Sequence, residues 1–450
     1  MTVKVAVVGC AHGELDQIYR DITESGKEVD LLLCCGDFQA IRNQSDLHHL
    51  HCPVHYRHIR TFYKYYSGER VAPVLTVFIG GNHESSAFSQ ELPHGGWVAP
   101  NIYYLGFASV IRFGGLRICG WSGIYKQNDY GYNHYEAPPF PDGQHVSAYH
   151  VRAIEHFRLQ LLKSPGGSAV DIFMTHDWPN GITKYGQEEQ LLRFKPYFRP
   201  DIERNQLGNC HSMDLIRKLK PRYHFSAHLH AFFEATVPHE EGCQTKFTAL
   251  SKCAHKIKTP NYLSFFHIEP SEDGEKVLSY DADWLVVLRN TKSLECTKKA
   301  FSNIPNEIDG FTVNEEQKQS VLHIFNGDLR IPLNFKMTAP PESAVQGNLY
   351  GQMALYYRNP QTREFCEKLQ IPDWNEMMCK LHEEAVGIPY YAHLNDQSEV
   401  SKTDEISLDD DDLFGDDELI EDATPQNRSK REHREEEDDA EEVETKKSKN

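Results

Sequence analysis

The stretch Gly80-Gly81-Asn82-His83-Glu84 constrains this chain more than any other. It follows the apolar run 74–79 (Val-Leu-Thr-Val-Phe-Ile), which reads as a buried strand. A strand that stops in Gly-Gly and then presents Asn-His-Glu puts an amide oxygen and an imidazole at its carboxyl end. In open α/β sheets that edge is where ligands bind. Four other apolar runs end the same way. Residues 3–8 lead to Cys10 and His12, 29–35 to Asp37, 170–174 to His176, and 222–227 to His228 and His230. In a parallel sheet such ends converge on one edge.

The run 3–8, the stretch 14–25 with apolar residues at Leu15, Ile18, Tyr19 and Ile22, and the run 29–35 make a βαβ unit, with Gly26 as the helix stop. Short β runs are expected at 102–105, 108–113 and 116–121, and again at 231–237, 246–251, 262–268 and 284–288. Helices are expected at 147–163, 187–194, 211–219, 312–326 and 361–382. Residues 43–68 contain His48, His49, His51, His55 and His58 without regular ligand spacing, and read as a solvated or substrate-facing helical region. Residues 122–149, dense in Gly, Pro and Tyr, form a long loop of the kind that carries function.

No apolar run is long enough to cross a membrane, and the N-terminal apolar stretch is too short for a secretory signal. Eleven cysteines without a Cys-x-x-Cys pair read as free thiols in a reducing compartment. The net charge is −19, and residues 401–450 hold 20 acidic against 8 basic side chains. From about 396 the chain reads as a disordered acidic tail. A generic nucleic-acid binder is basic, so contact with nucleic acid requires a local patch, for which Arg57, Arg60 and Lys64 are candidates, or metal ions that meet the phosphate. Histidine nitrogens, a carboxylate and an amide oxygen together suit Zn²⁺, Fe²⁺ or Mn²⁺. Two such ions a few ångström apart can bind a phosphate and activate water.

The order of motifs resembles the calcineurin-like metallophosphoesterases, whose pattern is Asp-x-His, Gly-Asp, Gly-Asn-His-Glu/Asp, a lone His and Gly-His-x-His. Here these stand as Cys10-Ala11-His12, Gly36-Asp37, Gly81-Asn82-His83-Glu84, His176 and Ala227-His228-Leu229-His230, with Cys10 for the first Asp and Ala227 for the Gly. The Cys substitution, with the segments 31–39, 95–106, 175–179 and 225–230, is similar to the RNA lariat-debranching branch of that family.

The resemblance implies an α/β fold, an αββα sandwich with metal ligands at strand carboxyl ends. It divides the chain into a catalytic domain at 1–236 carrying the 122–149 insertion, a C-terminal domain at 237–395 whose first strands complete the second sheet, and the tail at 396–450. It implies one or two divalent ions, one in a pocket of Cys10, His12, Asp37 and His230, the other held by Asp37, Asn82, His176 and His228. A thiolate favours Zn²⁺ or Fe²⁺ and disfavours Mg²⁺; the other reading places Cys10 behind the ligands of a single ion. The implied reaction is hydrolysis of the 2′–5′ phosphodiester at the branch of intron lariat RNA, with His83 protonating the departing 2′-oxygen. Glu84 or Asp177 is expected to orient a histidine, or Glu84 to serve as a helix N-terminal acid. Tyr125, Tyr130, Tyr132, Tyr135 and Phe140 are expected to stack on unpaired bases, with Lys126 on a phosphate, unless the rings fold back on the domain. Spliceosome-associated or intron-turnover proteins are the expected partners. The basic islands at 428–434 and 446–449 point to the nucleus, with shuttling to the cytoplasm. A phosphomonoesterase of the same fold and a non-catalytic scaffold are the competing readings.

Overall fold

The computed structural model describes residues 2–386 apart from 139, 141–142, 163–168, 256–258 and 345–356. Its strands, in chain order, are β1 (Val3–Val8), β2 (Leu31–Cys34), β3 (Thr76–Phe78), β4 (Gly96–Ala99), β5 (Ile102–Tyr104), β6 (Ala108–Phe113), β7 (Leu116–Trp121), β8 (Ile172–Thr175), β9 (Tyr223–Ser226), β10 (Phe233–Pro238), β11 (Gln244–Ala249), β12 (Leu263–Ile268) and β13 (Ser279–Tyr280). They form two sheets, ordered β12-β1-β2-β3-β5-β4 and β10-β11-β9-β8-β7-β6-β13. Both share one plan. Four parallel strands lie at the centre (β1, β2, β3, β5 in the first; β7, β8, β9, β11 in the second), with antiparallel strands outside them.

Strand side chains alternate between faces, and here both faces are buried, which is why the strands read as unbroken apolar runs. Val5, Val7, Leu31, Leu33 and Val77 face the second sheet, where Ile118, Ile172, Met174 and Phe225 meet them. The alternate residues Ala6, Val8, Leu32, Cys34 and Phe78 pack under the helix Leu15–Glu24 through Leu15, Ile18, Tyr19 and Ile22. On the far side, Val110, Cys119, Trp121 and Phe173 are covered from the helices Ala153–Gln160, Ser212–Leu219 and Ala282–Asn290. The result is the αββα sandwich.

Several expectations are corrected. The run 284–288 lies in the helix Ala282–Asn290, started by the Asp281 carboxylate accepting the Trp284 N–H. Trp284 to Leu288 are all buried, and an apolar run buried all round carries no period to tell helix from strand. β12 joins the first sheet beside β1, not the second. Residues beyond 236 thus supply strands to both sheets, and the described residues make one compact unit. The segment 361–382 is two helices, Pro360–Leu369 and Trp374–Val386, interrupted at Gln370 (φ +60°) ahead of Pro372. The expected acidic tail lies outside the described residues.

The histidine-rich segment folds as 3-10 turns at Gln44–His49 and Val54–Tyr56 and a short helix at Phe62–Tyr66, organised by Arg42. This fully buried guanidinium pairs with both oxygens of Asp46 (2.8 and 2.9 Å), with Glu91 (2.7 Å) and with the Thr338 hydroxyl (3.0 Å), and lies over the Phe88 ring. Asn43 donates to the Pro340 carbonyl, and Gln44 donates to Glu342. Residues 338–342 are thereby tied to the loop beside the strand ends.

Removing one partner from a buried ion network leaves the others unpaired. Arg42→Ala is expected to lower stability by about 3–5 kcal/mol, read as the urea midpoint at constant slope. Arg42→Lys recovers part of the loss, because an ammonium cannot reproduce the forked contact with Asp46.

Candidate metal centre

The site forms where the carboxyl ends of the two parallel centres meet. β1 delivers Cys10 and His12, β2 Asp37, β3 Asn82 and His83, β8 His176, and β9 His228 and His230. Two glycines permit the approach. A Cβ on Gly81 would lie 2.3 Å from Asp37 Oδ1 and 2.4 Å from its backbone nitrogen, and one on Gly36 (φ +106°) 2.3 Å from His176 Nδ1. His12, Asp37, His228 and His230 all have left-handed backbones, with φ of +46°, +47°, +62° and +48°. Such strain in non-glycine residues persists where the surroundings over-determine it.

Cys10, His12, Asp37 and His230 each offer a ligand atom, all within 4.8 Å of one another. His12 Nε2 and His230 Nε2 are 3.3 Å apart. Two nitrogens at about 2.0–2.1 Å from a tetrahedral ion are separated by about 3.3 Å, so this pair fits a shared cation. Asp37 faces two ways. Its Oδ2 is 3.9 Å from His12 Nε2, and its Oδ1 is 3.2 Å from His176 Nε2. His176 Nε2 in turn is 3.2 Å from Asn82 Oδ1. The His228 ring lies 5.1 Å from that of His176, and the His228 N–H donates to Cys10 Sγ at 3.3 Å. The His83 ring stands 5.6 Å from His12. The residue types and spacings therefore suit divalent ions, with Asp37 between two donor groups.

Hydrogen bonds set the tautomers. His176 Nδ1 donates to the Cys35 carbonyl (2.7 Å), which leaves Nε2 facing Asp37 and Asn82; burial lowers the pKa of this ring, but the carboxylate raises it overall. His83 Nδ1 donates to the His51 carbonyl (2.9 Å), so its Nε2 carries a proton only in the imidazolium. The Gln39 side-chain nitrogen lies 3.1 Å from His12 Nδ1 and donates to it. Burial lowers the His12 pKa to about 4 and that of His230 further, so both are neutral at pH 7. Burial opposes the charge of Asp37, but His176, His83 and His12 around it hold it well below the usual carboxylate range. Burial, and then the Asp37 charge, push the Cys10 thiol well up. A cation reverses that, because the ligand form is the thiolate.

Glu84 binds backbone rather than a histidine, contrary to expectation. Glu84 Oε1 accepts the N–H groups of Phe38 (2.7 Å) and Gly81 (2.9 Å), and Oε2 that of Gln39 (2.8 Å). It is a clamp between the turns after β2 and β3, and no side chain caps the helix Ser86–Gln90 that follows. Burial and the Asp37 charge raise Glu84 to about 7. Asp177, raised to about 6 by burial, accepts the Tyr125 N–H (3.2 Å) and anchors the insertion.

The insertion is braced rather than open. It contains the helices Gln127–Tyr130 and Gln144–Ser147, and its Glu136 forms a fully buried pair with Arg152, just past its end. Tyr130 bonds His156 (2.7 Å) and stacks on His211 (4.1 Å), while Tyr125 packs against both Tyr130 and His211. Both rings pack against the protein on one side and remain partly exposed. Tyr132 stacks on Phe301, Lys299 lies over Tyr135, Phe140 meets His49 edge-on and Lys126 is exposed. Arg57 donates to the Cys52 carbonyl, Arg60 is 3.5 Å from Glu14 and Lys64 3.6 Å from Asp16, so much of that basic patch is neutralised.

Lys252 was missed. It pairs with Cys10 as a β-bridge, and its charge helps to lower His12 and His230. It follows the carboxyl end of β11, so the same strand-end logic could have found it. The His51 carbonyl and Gln39 had no signal in the sequence.

A family model for the calcineurin-like phosphoesterases matches residues 3–232, and one for the C-terminal domain of lariat debranching enzymes matches 242–374. The chain is similar to the lariat debranching enzyme of Caenorhabditis elegans, at 43% identity over 88% of this chain and 83% of that one. It is also similar to those of Mus musculus, at 45% identity over 85% and 71% of the two chains, and of Homo sapiens, at 46% over 85% and 72%.

At pH 7 the imidazoles of His12 and His230 are already neutral and Asp37 already ionised, while Cys10 still holds its proton. Zn²⁺ added to metal-free protein is therefore expected to release the Cys10 proton, together with any proton that His176, raised by Asp37 against the effect of burial, still holds, read from how the calorimetric enthalpy varies with buffer ionisation enthalpy. Cys10→Ala lowers the release by about one proton. An unchanged proton count in that variant contradicts thiolate ligation.

Proposed function

The chain belongs to the lariat debranching enzymes, within the calcineurin-like phosphoesterases, and on that premise we propose that it hydrolyses the 2′–5′ phosphodiester at the branch point of excised intron lariat RNA. The observation that carries the reading is one constellation. Four ligand atoms lie within 4.8 Å of one another, and beside them stands an imidazole, His83, whose Nδ1 is committed to the His51 carbonyl at 2.9 Å.

Divalent ions bound there supply charge neutralisation at the phosphate and acidify a water for in-line attack. Cys10, His12, Asp37 and His230 would hold one, and Asp37, Asn82, His176 and His228 the other. The thiolate favours Zn²⁺ or Fe²⁺ in the first group, with Mn²⁺ suited to the nitrogen and oxygen donors of the second. Asp37 supplies the negative charge common to both. Glu84 keeps the turns carrying Asp37 and Asn82 in register by binding three backbone N–H groups. His83, as imidazolium, gives its Nε2 proton to the departing 2′-oxygen. An alkoxide leaves poorly without that proton. The Nδ1 bond to His51 holds the ring so that Nε2 is the nitrogen left for substrate.

His83→Ala is expected to reduce cleavage of a synthetic RNA with one 2′–5′ branch by about 10²–10⁴-fold while metal content stays at the wild-type level. Linear 3′–5′ RNA should be left intact by both proteins. A wild type that spares the branch in Zn²⁺, Fe²⁺ and Mn²⁺ but hydrolyses a phosphomonoester would establish the competing phosphatase reading.

The substrate also supports nuclear residence, with passage to the cytoplasm, and association with spliceosome-bound or intron-turnover proteins. The basic islands at 428–434 and 446–449 are the segments suited to import. Replacing both with neutral residues is expected to move a fluorescent fusion out of the nucleus; an unchanged distribution removes them as the import signal.

A further inference from the structure

The C-terminal half meets the insertion at Ala137, which packs against Trp374 and Met378, and along residues 131–133. Tyr132 and Phe301 form an antiparallel bridge. Around it the Asn133 N–H donates to the Ala300 carbonyl (3.0 Å), the Ser302 N–H to the Gly131 carbonyl (2.8 Å), and the Asn133 side chain to the Lys298 carbonyl (3.2 Å). Residues 298–302 are thus a strap laid along residues 131–133. The Phe301 ring stacks on Tyr132 at 4.4 Å and 21°. A Cβ on Gly131 would already lie 3.1 Å from that ring, so glycine there gives Phe301 its room.

Phe301 is nonetheless 71% exposed. A phenylalanine held in place by backbone bonds on both sides, with one face on a tyrosine and the rest in water, does not serve a core. Its surroundings are basic in a chain of net charge −19. Lys126, Lys298 and Lys299 are exposed, and among the described residues none forms a salt bridge. The Lys299 ammonium lies 5.1 Å over the Tyr135 ring.

We propose that Phe301, Tyr132 and Tyr135, with Lys126, Lys298 and Lys299, form a composite platform for an unpaired arm of the branched RNA, so that the C-terminal half itself reads the substrate. The proposal rests on the reading that the substrate is RNA. Unpaired bases present a π face whatever their identity, and each brings a phosphate. An aromatic pair rimmed by lysines meets both needs. The platform is joined to the metal centre by a stiff connection. The insertion leaves the site through the Gly123 N–H on the Gly80 carbonyl (2.9 Å) and the Tyr125 N–H on Asp177 (3.2 Å), and the buried Arg152–Glu136 pair braces its interior. Tyr125 and Tyr130 supply that bracing, and Tyr132 and Phe301 are left to face the ligand.

Fluorescence anisotropy tests this with the full chain in EDTA, where nothing is cleaved, and a labelled branched RNA with unpaired arms. Phe301→Leu keeps an apolar group against Tyr132 but removes the stacking face, and is expected to weaken binding about five-fold or more. Phe301→Trp restores it. Replacing Lys298 and Lys299 with alanine is expected to lower the slope of log affinity against log salt by about 1.4. Phe301→Leu binding as tightly as wild type overturns the platform, as does a salt slope unchanged in the lysine variant. Equal weakening by Leu and Trp also overturns it, because that marks a strap disturbed structurally. Restoring metal separates the premise from the proposal. Wild type that binds through Phe301 yet leaves the branch uncut refutes debranching and keeps the platform, whereas wild type that cuts the branch with affinity indifferent to Phe301 does the reverse.

Discussion

One buried carboxylate governs the geometry of the site. Asp37 is 1% exposed, and a negative charge at that depth is costly unless it is paired and hydrogen-bonded. Three imidazoles and the His83 N–H (2.9 Å) meet that requirement. The rest follows from their need to reach it. Gly36 and Gly81 lack side chains because a Cβ at either position would collide with His176 or Asp37. Asp37 takes a positive φ to turn both oxygens toward different partners. Glu84 lies behind, holding the two turns together by their backbone N–H groups. A cation on either side of Asp37 would take over the role of the protonated imidazoles in balancing its charge.

The C-terminal half is fastened to this core by buried arginines. Arg42 links residues 46, 91 and 338. Arg117 of β7 donates to both Asp281 oxygens at the start of the helix Ala282–Asn290 (2.9 and 2.7 Å), and Arg158 pairs with Glu295. Buried ion pairs add little net stability compared with apolar packing, but their directionality admits one register. Residues 298–302 follow Glu295 directly, so the Arg158–Glu295 pair helps to place the strap against the insertion. The insertion is accordingly a rigid arm between the metal centre and the C-terminal half.

Legibility of the fold varied with the kind of signal each segment carries. β1, the helix Leu15–Glu24 and β2 were readable because apolar periods of different length abut sharply. The helix Ala282–Asn290 was not, because its apolar face extends all the way round. β4 was missed, since Gly96–Ala99 is short and carries a register irregularity between Trp97 and Ala99. In the site, residues that act by side chain at a strand end were found. Those that act through the backbone, such as the Cys35 and His51 carbonyls, were invisible, because any residue type has a carbonyl. Glu84 stands out in the sequence by its charge and not by its partners. Its true partners, the N–H groups of Phe38, Gln39 and Gly81, belong to two separate turns.

What the sequence determined by itself was the layered fold and the inventory of donors. Alternating apolar runs that end in Cys, His, Asp and Asn admit few other arrangements once parallel strands align their carboxyl ends. What only the tertiary structure decided was how each group is used. Tautomers depend on which carbonyl faces Nδ1, and pKa shifts depend on depth and on charges brought from distant strands. What a tyrosine presents to a ligand depends on its neighbour: His211 holds the Tyr130 ring against the protein, whereas Phe301 extends the Tyr132 ring into a wider surface. These are relations between residues far apart in the chain, such as Tyr132 and Phe301, and local sequence carries no record of them.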